Sequence, residues 1–183
     1  MNLSKRYIIA AVTVFTVTLF FGCESNFKEV QKINFSEFVP GSDADTVDIK
    51  YTDSGRITGV LKSPKMLDYS NLDFPFTEFP KGIDVTLYDK NQKRTFIRSN
   101  YAVSYKPTGI IDLQGKVRIT SEEGQMLETE QLYFDQNNEW FYTERKFKLI
   151  DAKGTSNGQG IDFSKDFKVI NSQRVSGEIE SDE

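Results

Sequence analysis

The chain has 183 residues, 23 basic and 27 acidic, with a formal net charge of −4, no His and a single Cys. That length holds one domain with a real core once a leader is set aside, and 38% hydrophobic against 27% charged residues is the balance of a folded body rather than a disordered one. Without His the commonest general base and metal ligand are missing, one Cys permits neither an intrachain disulfide nor a cysteine-rich metal site, and the acidic balance lacks the basic footprint of a nucleic-acid binder.

Residues 1–23 open the chain with Lys5 and Arg6 as their only charges, followed by a mostly apolar run over residues 7–21. About fifteen such residues make the core of a signal peptide, whereas a full span needs roughly 20. The run closes on Phe21-Gly22-Cys23. A small residue followed by Cys at this point resembles the lipobox of bacterial lipoproteins. That resemblance implies cleavage before Cys23 and its lipidation, giving a firm anchor of two or more acyl chains. Phe20 stands three places before Cys23, where an aliphatic residue is usual, so an uncleaved helix over residues 7–21 is the alternative anchor. Either way Lys5 and Arg6 hold the N-terminal end inside, and the rest of the chain lies outside the cytoplasm.

Residues 24–45 are polar, carry Pro40-Gly41-Ser42-Asp43, and read as a tether. From Thr46 the pattern turns to a period of two. Val47, Ile49 and Tyr51 alternate with polar residues as in a strand with one wet face, and Asp53-Ser54-Gly55 is a tight turn leading to a strand with Ile57 and Leu61. The segment 69–82, with Phe74-Pro75-Phe76 and Phe79-Pro80, is expected to be a loop across the mouth or edge of the sheets, because Pro lacks the ladder donor.

The alternation then resumes. Ile83, Val85 and Leu87 form one strand; Ile97, Tyr101 and Val103 share a parity; Ile111 and Leu113 precede an expected turn at Gln114-Gly115; Val117 and Ile119 follow it. Strands over Met126 to Phe134, Trp140 to Thr143, Phe147 to Ile150 and Val175 to Ile179 complete the series, with Gly154, Gly158 and Gly160 as punctuation. Strands at spacings of roughly 8–12 residues with short turns spell an all-β, antiparallel sandwich or barrel over residues 46–183. Fifteen Phe and eight Tyr suit that class.

An ordered series of segments resembles the LptC family of periplasmic lipopolysaccharide-export proteins. Tyr51-Thr52-Asp53-Ser54-Gly55-Arg56 matches its opening strand and turn. The aromatic loop from Phe74 to Pro80 precedes a strand ending Val85-Thr86-Leu87-Tyr88-Asp89. Ser99-Asn100-Tyr101-Ala102, Gly115-Lys116-Val117, the strand from Leu127 to Asp135, and Gly158-Gln159-Gly160-Ile161-Asp162-Phe163 follow in order. The resemblance covers about residues 46 to 179. It implies an open β-jellyroll with an apolar trough, no cofactor and no catalytic residue. Such a protein is anchored at the inner membrane and takes lipopolysaccharide from ABC transporter subunits to a periplasmic LptA-like bridge protein.

Under that resemblance the candidate trough residues are Ile83, Val85, Leu87, Ile97, Val103, Ile111, Leu113, Val117, Ile119, Leu127, Leu132, Phe147 and Leu149. Ile57, Leu61 and Tyr101 are further inward candidates. Each is equally at home in an ordinary packed core. The first strand, with Val47 and Ile49, and the last, with Val175 and Ile179, are the candidate partner edges, since open edges recruit further strands. A lipid-anchored scaffold that binds only other proteins is the alternative function. A hydrolase is disfavoured: Ser104 and Ser121 have no His to activate them, and Glu128 and Glu130 share the face of one strand, the pattern of a wet surface. Lys90, Lys93, Arg94 and Arg98 form a small basic cluster that reads as a solvated turn, with contact to lipid phosphates as the alternative.

Overall fold

The expected alternation builds strands throughout. In the computed structural model, which describes residues 39–179, eleven strands follow one another: β1 (Ser42–Asp53), β2 (Arg56–Asp68), β3 (Phe76–Phe79), β4 (Ile83–Tyr88), β5 (Arg94–Ser99), β6 (Tyr101–Tyr105), β7 (Ile110–Ser121), β8 (Met126–Asp135), β9 (Trp140–Asp151), β10 (Gly154–Ser164) and β11 (Ile170–Ile179). The leader and Cys23 lie outside the described residues.

All pairings are antiparallel, and the sheet forks. The first half of β7 pairs with β6 through residues 110–114, and its second half pairs with β5 through residues 118–121. β2 divides the same way, meeting β4 through residues 59–62 and β3 through residues 67–68. Two short arms, β5–β4 and β6–β3, therefore bridge the same two long strands, while β8 to β11 extend the sheet on the far side of β7 and β1 extends it beyond β2. The result is the all-β architecture that the strand pattern called for, with the jellyroll-like arrangement that the family resemblance implied.

The long strands change register at mid-length, between Gln114 and Val117, between Thr129 and Tyr133, and between Gln159 and Ile161. A bulge bends a strand and resets which residues face inward. Leu127 and Thr129 precede the break in β8 and Leu132 and Phe134 follow it; all four are buried. Both halves of each strand thus face one core. It is centred on Leu113, Val117, Ile119, Leu127, Leu132, Phe141 and Phe163, each no more than 2% exposed. Phe134, Phe141, Phe163 and Phe167 stack in sequence at ring separations of 4.4, 5.2 and 4.8 Å, a geometry that adds to simple burial.

The structure departs from the sequence reading in several places, among them the expected strands Trp140 to Thr143 and Phe147 to Ile150, which form one strand, β9. β1 begins at Ser42, ahead of the expected Thr46; Thr46 has φ 55° and drops out of the ladder opposite Pro64, so the regular alternation is visible only beyond it. The segment 69–82 contains β3, between β2 and β6, because Pro75 and Pro80 flank this strand instead of interrupting it. Gln114-Gly115 is a bulge inside β7, with Gly115 at φ 73° and Lys116 at φ 50°, and not a turn between strands. Finally, Ile57 is 41% exposed, beside the β1–β2 turn and not in the core.

Candidate functional site

One concavity on the inner side lies between the β2–β4–β5 arm and the facing halves of β7 and β8. It is an apolar cavity of about 350 Å³, near the lower end of the ~300–1,000 Å³ range of small-ligand pockets. Leu61 of β2, Ile83, Val85 and Leu87 of β4, Ile97 of β5, Ile111 and Leu113 of β7 and Phe134 of β8 line it. Alternation explains this convergence, since every second residue of each strand points the same way. Gly59 also contributes space: a Cβ there would stand 3.3 Å from Leu87 Cδ2.

The polar lining comes from strand ends and turns: Asp53, Thr58, Gln136, Glu139 and Lys165. Lys165 Nζ donates to Glu139 Oε1 at 2.8 Å, and the Lys165 amide donates to the Glu139 carbonyl at 3.0 Å. The Lys165 side chain is only 17% exposed, so a paired cation stands at the border of an apolar space. Tyr51 also lines the cavity, and burial pushes its phenol above the ordinary value.

Of the thirteen candidate trough residues, Ile83, Val85, Leu87, Ile97, Ile111 and Leu113 come together around this cavity. Val117, Ile119, Leu127, Leu132, Phe147 and Leu149 are buried in the packed core beside it. Val103 does not line this cavity. It is buried, but it pairs with Asp112, whereas Ala102 pairs with the inward Leu113 and joins the core. Tyr101 shares the parity of Val103, and its hydroxyl donates to Glu78 Oε1 at 2.8 Å. The reason is Asn100, whose amide donates to the Gly115 carbonyl and which separates β5 from β6, so the parity of Ile97 does not carry across. Phe134 was missed, although it shares parity with Leu132 on the same strand.

Among the described residues β1 pairs only with β2, and β11 only with β10. Each strand therefore offers one unpaired backbone edge. Val47 and Ile49 are partly buried against the core, Val175 is 53% exposed, and Ile179 is opposite Gly154. What these edges present is unpaired backbone donors and acceptors.

The outer face reads as a solvated surface. Asp48, Lys62, Asp84, Arg98, Arg118, Glu128 and Lys148 stand in one cross-strand row over β1, β2, β4, β5, β7, β8 and β9. Lys62 pairs with Asp48 at 3.8 Å, Arg98 with Asp84, and Arg118 with Glu128 at 2.6 Å. Glu128 is thus held by a cation. The basic turn is matched in the same way, with Lys93 on Glu123 and Arg94 on Glu122. Asp112, the one buried carboxylate among the described residues, accepts from Gln114 Nε2 at 2.7 Å and Gln131 Nε2 at 3.0 Å. Its environment is a closed hydrogen-bond network.

No helix among the described residues is long and apolar enough to cross a membrane. In sequence comparisons, the family model described as "Lipopolysaccharide-assembly, LptC-related" matches residues 7–180, nearly the whole chain. No curated protein matches the chain.

Proposed function

Starting from the premise that the chain belongs to the LptC-related family of lipopolysaccharide-assembly proteins, we propose that it is an anchored periplasmic carrier. It binds lipopolysaccharide acyl chains in the β-trough and passes the lipid from an inner-membrane ABC transporter to an LptA-like bridge protein. Membership by itself supports a role in lipopolysaccharide transport at the cell envelope, in a family of transport and binding proteins rather than enzymes. The anchor, the donor and the acceptor are our reading.

The observation that carries the proposal is the cavity bordered by Leu61, Val85, Leu87, Ile97 and Leu113. Each buried CH₂ of a chain entering it contributes about 0.8 kcal/mol, so a partial insertion of one chain gives a useful and still reversible hold. The polar border formed by Glu139 and Lys165 suits the transition from acyl chain to headgroup. The unpaired edges of β1 and β11 would take strands from the transporter side and the bridge side, with main-chain hydrogen bonds supplying the affinity. The ATPase partner would supply energy, and loading of successive molecules would supply direction.

The test is photocrosslinking in cells from Ile97, with Ile119 and Lys116 as controls. Ile119 is fully buried in the packed core, and Lys116 is exposed. The expected result is an ATP-dependent lipopolysaccharide adduct from Ile97 and from neither control. A correctly folded, membrane-associated protein that gives no adduct from Ile97, Val85 or Leu87 would overturn the carrier reading in favour of a scaffold that binds only proteins.

A further inference from the structure

Three features meet at one corner of the fold, and the carrier role uses none of them. The first is Phe74, which at 84% is the most exposed of the large hydrophobic residues described. Its loop is not loosely held. The Tyr69 amide donates to the Phe76 carbonyl at 2.9 Å, the Leu72 amide to the Tyr69 carbonyl at 3.3 Å, and the Tyr69 and Phe76 rings stack at 4.5 Å. Phe76 in turn lies 6.3 Å from Tyr105, which is 40% exposed. Phe74 is therefore presented to solvent by a braced loop.

The second feature is the way the chain joins the fold. Asn71 Nδ2 donates to the Val39 carbonyl at 3.2 Å, and the Gly41 amide donates to the Asp68 carbonyl at 2.8 Å. The first described residue, Val39, is itself 59% exposed and is fastened to the Phe74 loop. The third is the length of chain before it. Only residues 24–38 separate Val39 from Cys23 at the end of the apolar leader. Fully extended, that segment reaches about 50 Å at most.

We propose that this corner is a second membrane contact, in which Phe74 buries its ring in the interface of the bilayer that holds the leader, with Val39 and Tyr105 beside it. The inference rests on the anchored reading of residues 1–23. A bilayer fits better than a protein partner. One protruding ring among the exposed Ser70, Asn71 and Asp73 falls far short of the ~1,000 Å² that a specific protein interface buries, whereas a bilayer needs no complementary shape. A tether this short gives an effective concentration in the mM range, so a contact too weak to hold a free protein is populated. Tyr suits such a position because its body is apolar and its tip polar.

The charges of the corner fix the mode of binding. Lys106 Nζ lies 3.1 Å from Asp68 Oδ1, and Lys65 is paired with Asp43 and Asp45. The cations are matched and Asp73 adds a negative charge, so attraction to anionic lipid plays no part. The contact holds the β2–β3 end of the fold toward the bilayer and thereby orients the trough.

The test uses the full chain anchored in phosphatidylcholine vesicles. Phe74→Trp is introduced in a Trp140→Phe background, and Lys90→Trp in the same background serves as control, since Lys90 follows β4 at the opposite end of the β2 ladder. With bromine-labelled acyl chains, the expected result is several-fold stronger quenching at position 74 than at position 90, unchanged by salt or by added anionic lipid. Equal quenching at both positions, in protein that sediments with the vesicles, overturns the corner contact and leaves the anchor standing. Quenching that appears only with anionic lipid overturns the apolar mode. Protein that stays in the supernatant overturns the anchored reading itself, and this inference with it.

Discussion

The ring of Phe147 on β9 lies across the backbone of Gly158 on β10, so that a Cβ at Gly158 would stand 2.7 Å from Cε1 and Cζ of that ring and would also collide with the Arg174 carbonyl oxygen on β11. Phe147 is 4% exposed, so the ring has little room to retreat. Gly158→Ala is expected to destabilise the fold by about 1–3 kcal/mol, the usual cost of overpacking. Hydrogen exchange checks the location, because the amides of β10 and β11 should lose protection before those of β7 and β8.

Phe141 is the second prediction. It is fully buried between Phe134 and Phe163, with ring separations of 4.4 and 5.2 Å. Truncation removes both stacks and leaves a void in a close-packed region. Phe141→Ala should cost about 3–5 kcal/mol in a denaturant titration, and Phe141→Leu distinctly less.

Tyr101 makes the fold sensitive to high pH. Burial, and then the hydrogen bond to the Glu78 carboxylate and its charge, push the phenol well above its ordinary value of 10.0. A raised pKa stabilises the folded state fully below the unfolded value, and the contribution is lost as pH rises through the folded one. Wild-type thermal stability should therefore fall more steeply above about pH 10 than that of Tyr101→Phe. At neutral pH the same substitution should cost about 1 kcal/mol, the net worth of one hydrogen bond. Melting curves from neutral to alkaline pH measure both effects.

Leu87 lines the cavity and is only partly buried. Leu87→Trp places a larger apolar side chain into about 350 Å³ of open space, with an expected cost in stability no greater than the about 1–3 kcal/mol of overpacking a filled core. It should greatly weaken the binding of an apolar fluorescent reporter, measured by direct titration. Lys116→Ala, on the exposed outer side, should leave that binding unchanged.

Much of the fold was legible because a strand exposes its period in its own sequence. Val47, Ile49, Ile83, Val85 and Leu87 alternate with polar partners, and Ser54-Gly55 takes the two positive φ values of a tight hairpin turn, 50° and 78°. What failed did so where one local signal serves two structures. Gly115 supplies positive φ to a turn or to a bulge equally well, and Pro75 and Pro80 exclude a strand through themselves but not one between them. Val103 is buried but lies away from the cavity for a related reason, since Asn100 resets the parity and no residue count reveals a reset.

By itself the sequence determined the fold class, most of the inward-facing residues and the family, because these rest on alternation, turn chemistry and the order of segments along the chain. The tertiary structure alone decided which inward residues pack against one another and which border open space. Ile119 and Ile97 carry the same local signal and both are buried in the core, yet only Ile97 also borders the cavity. The difference arises from the forked pairing of β2 and β7 and the bulges across the long strands, which set how the two halves of the sheet close on each other. That is a relation between residues far apart in the chain, and no local pattern encodes it.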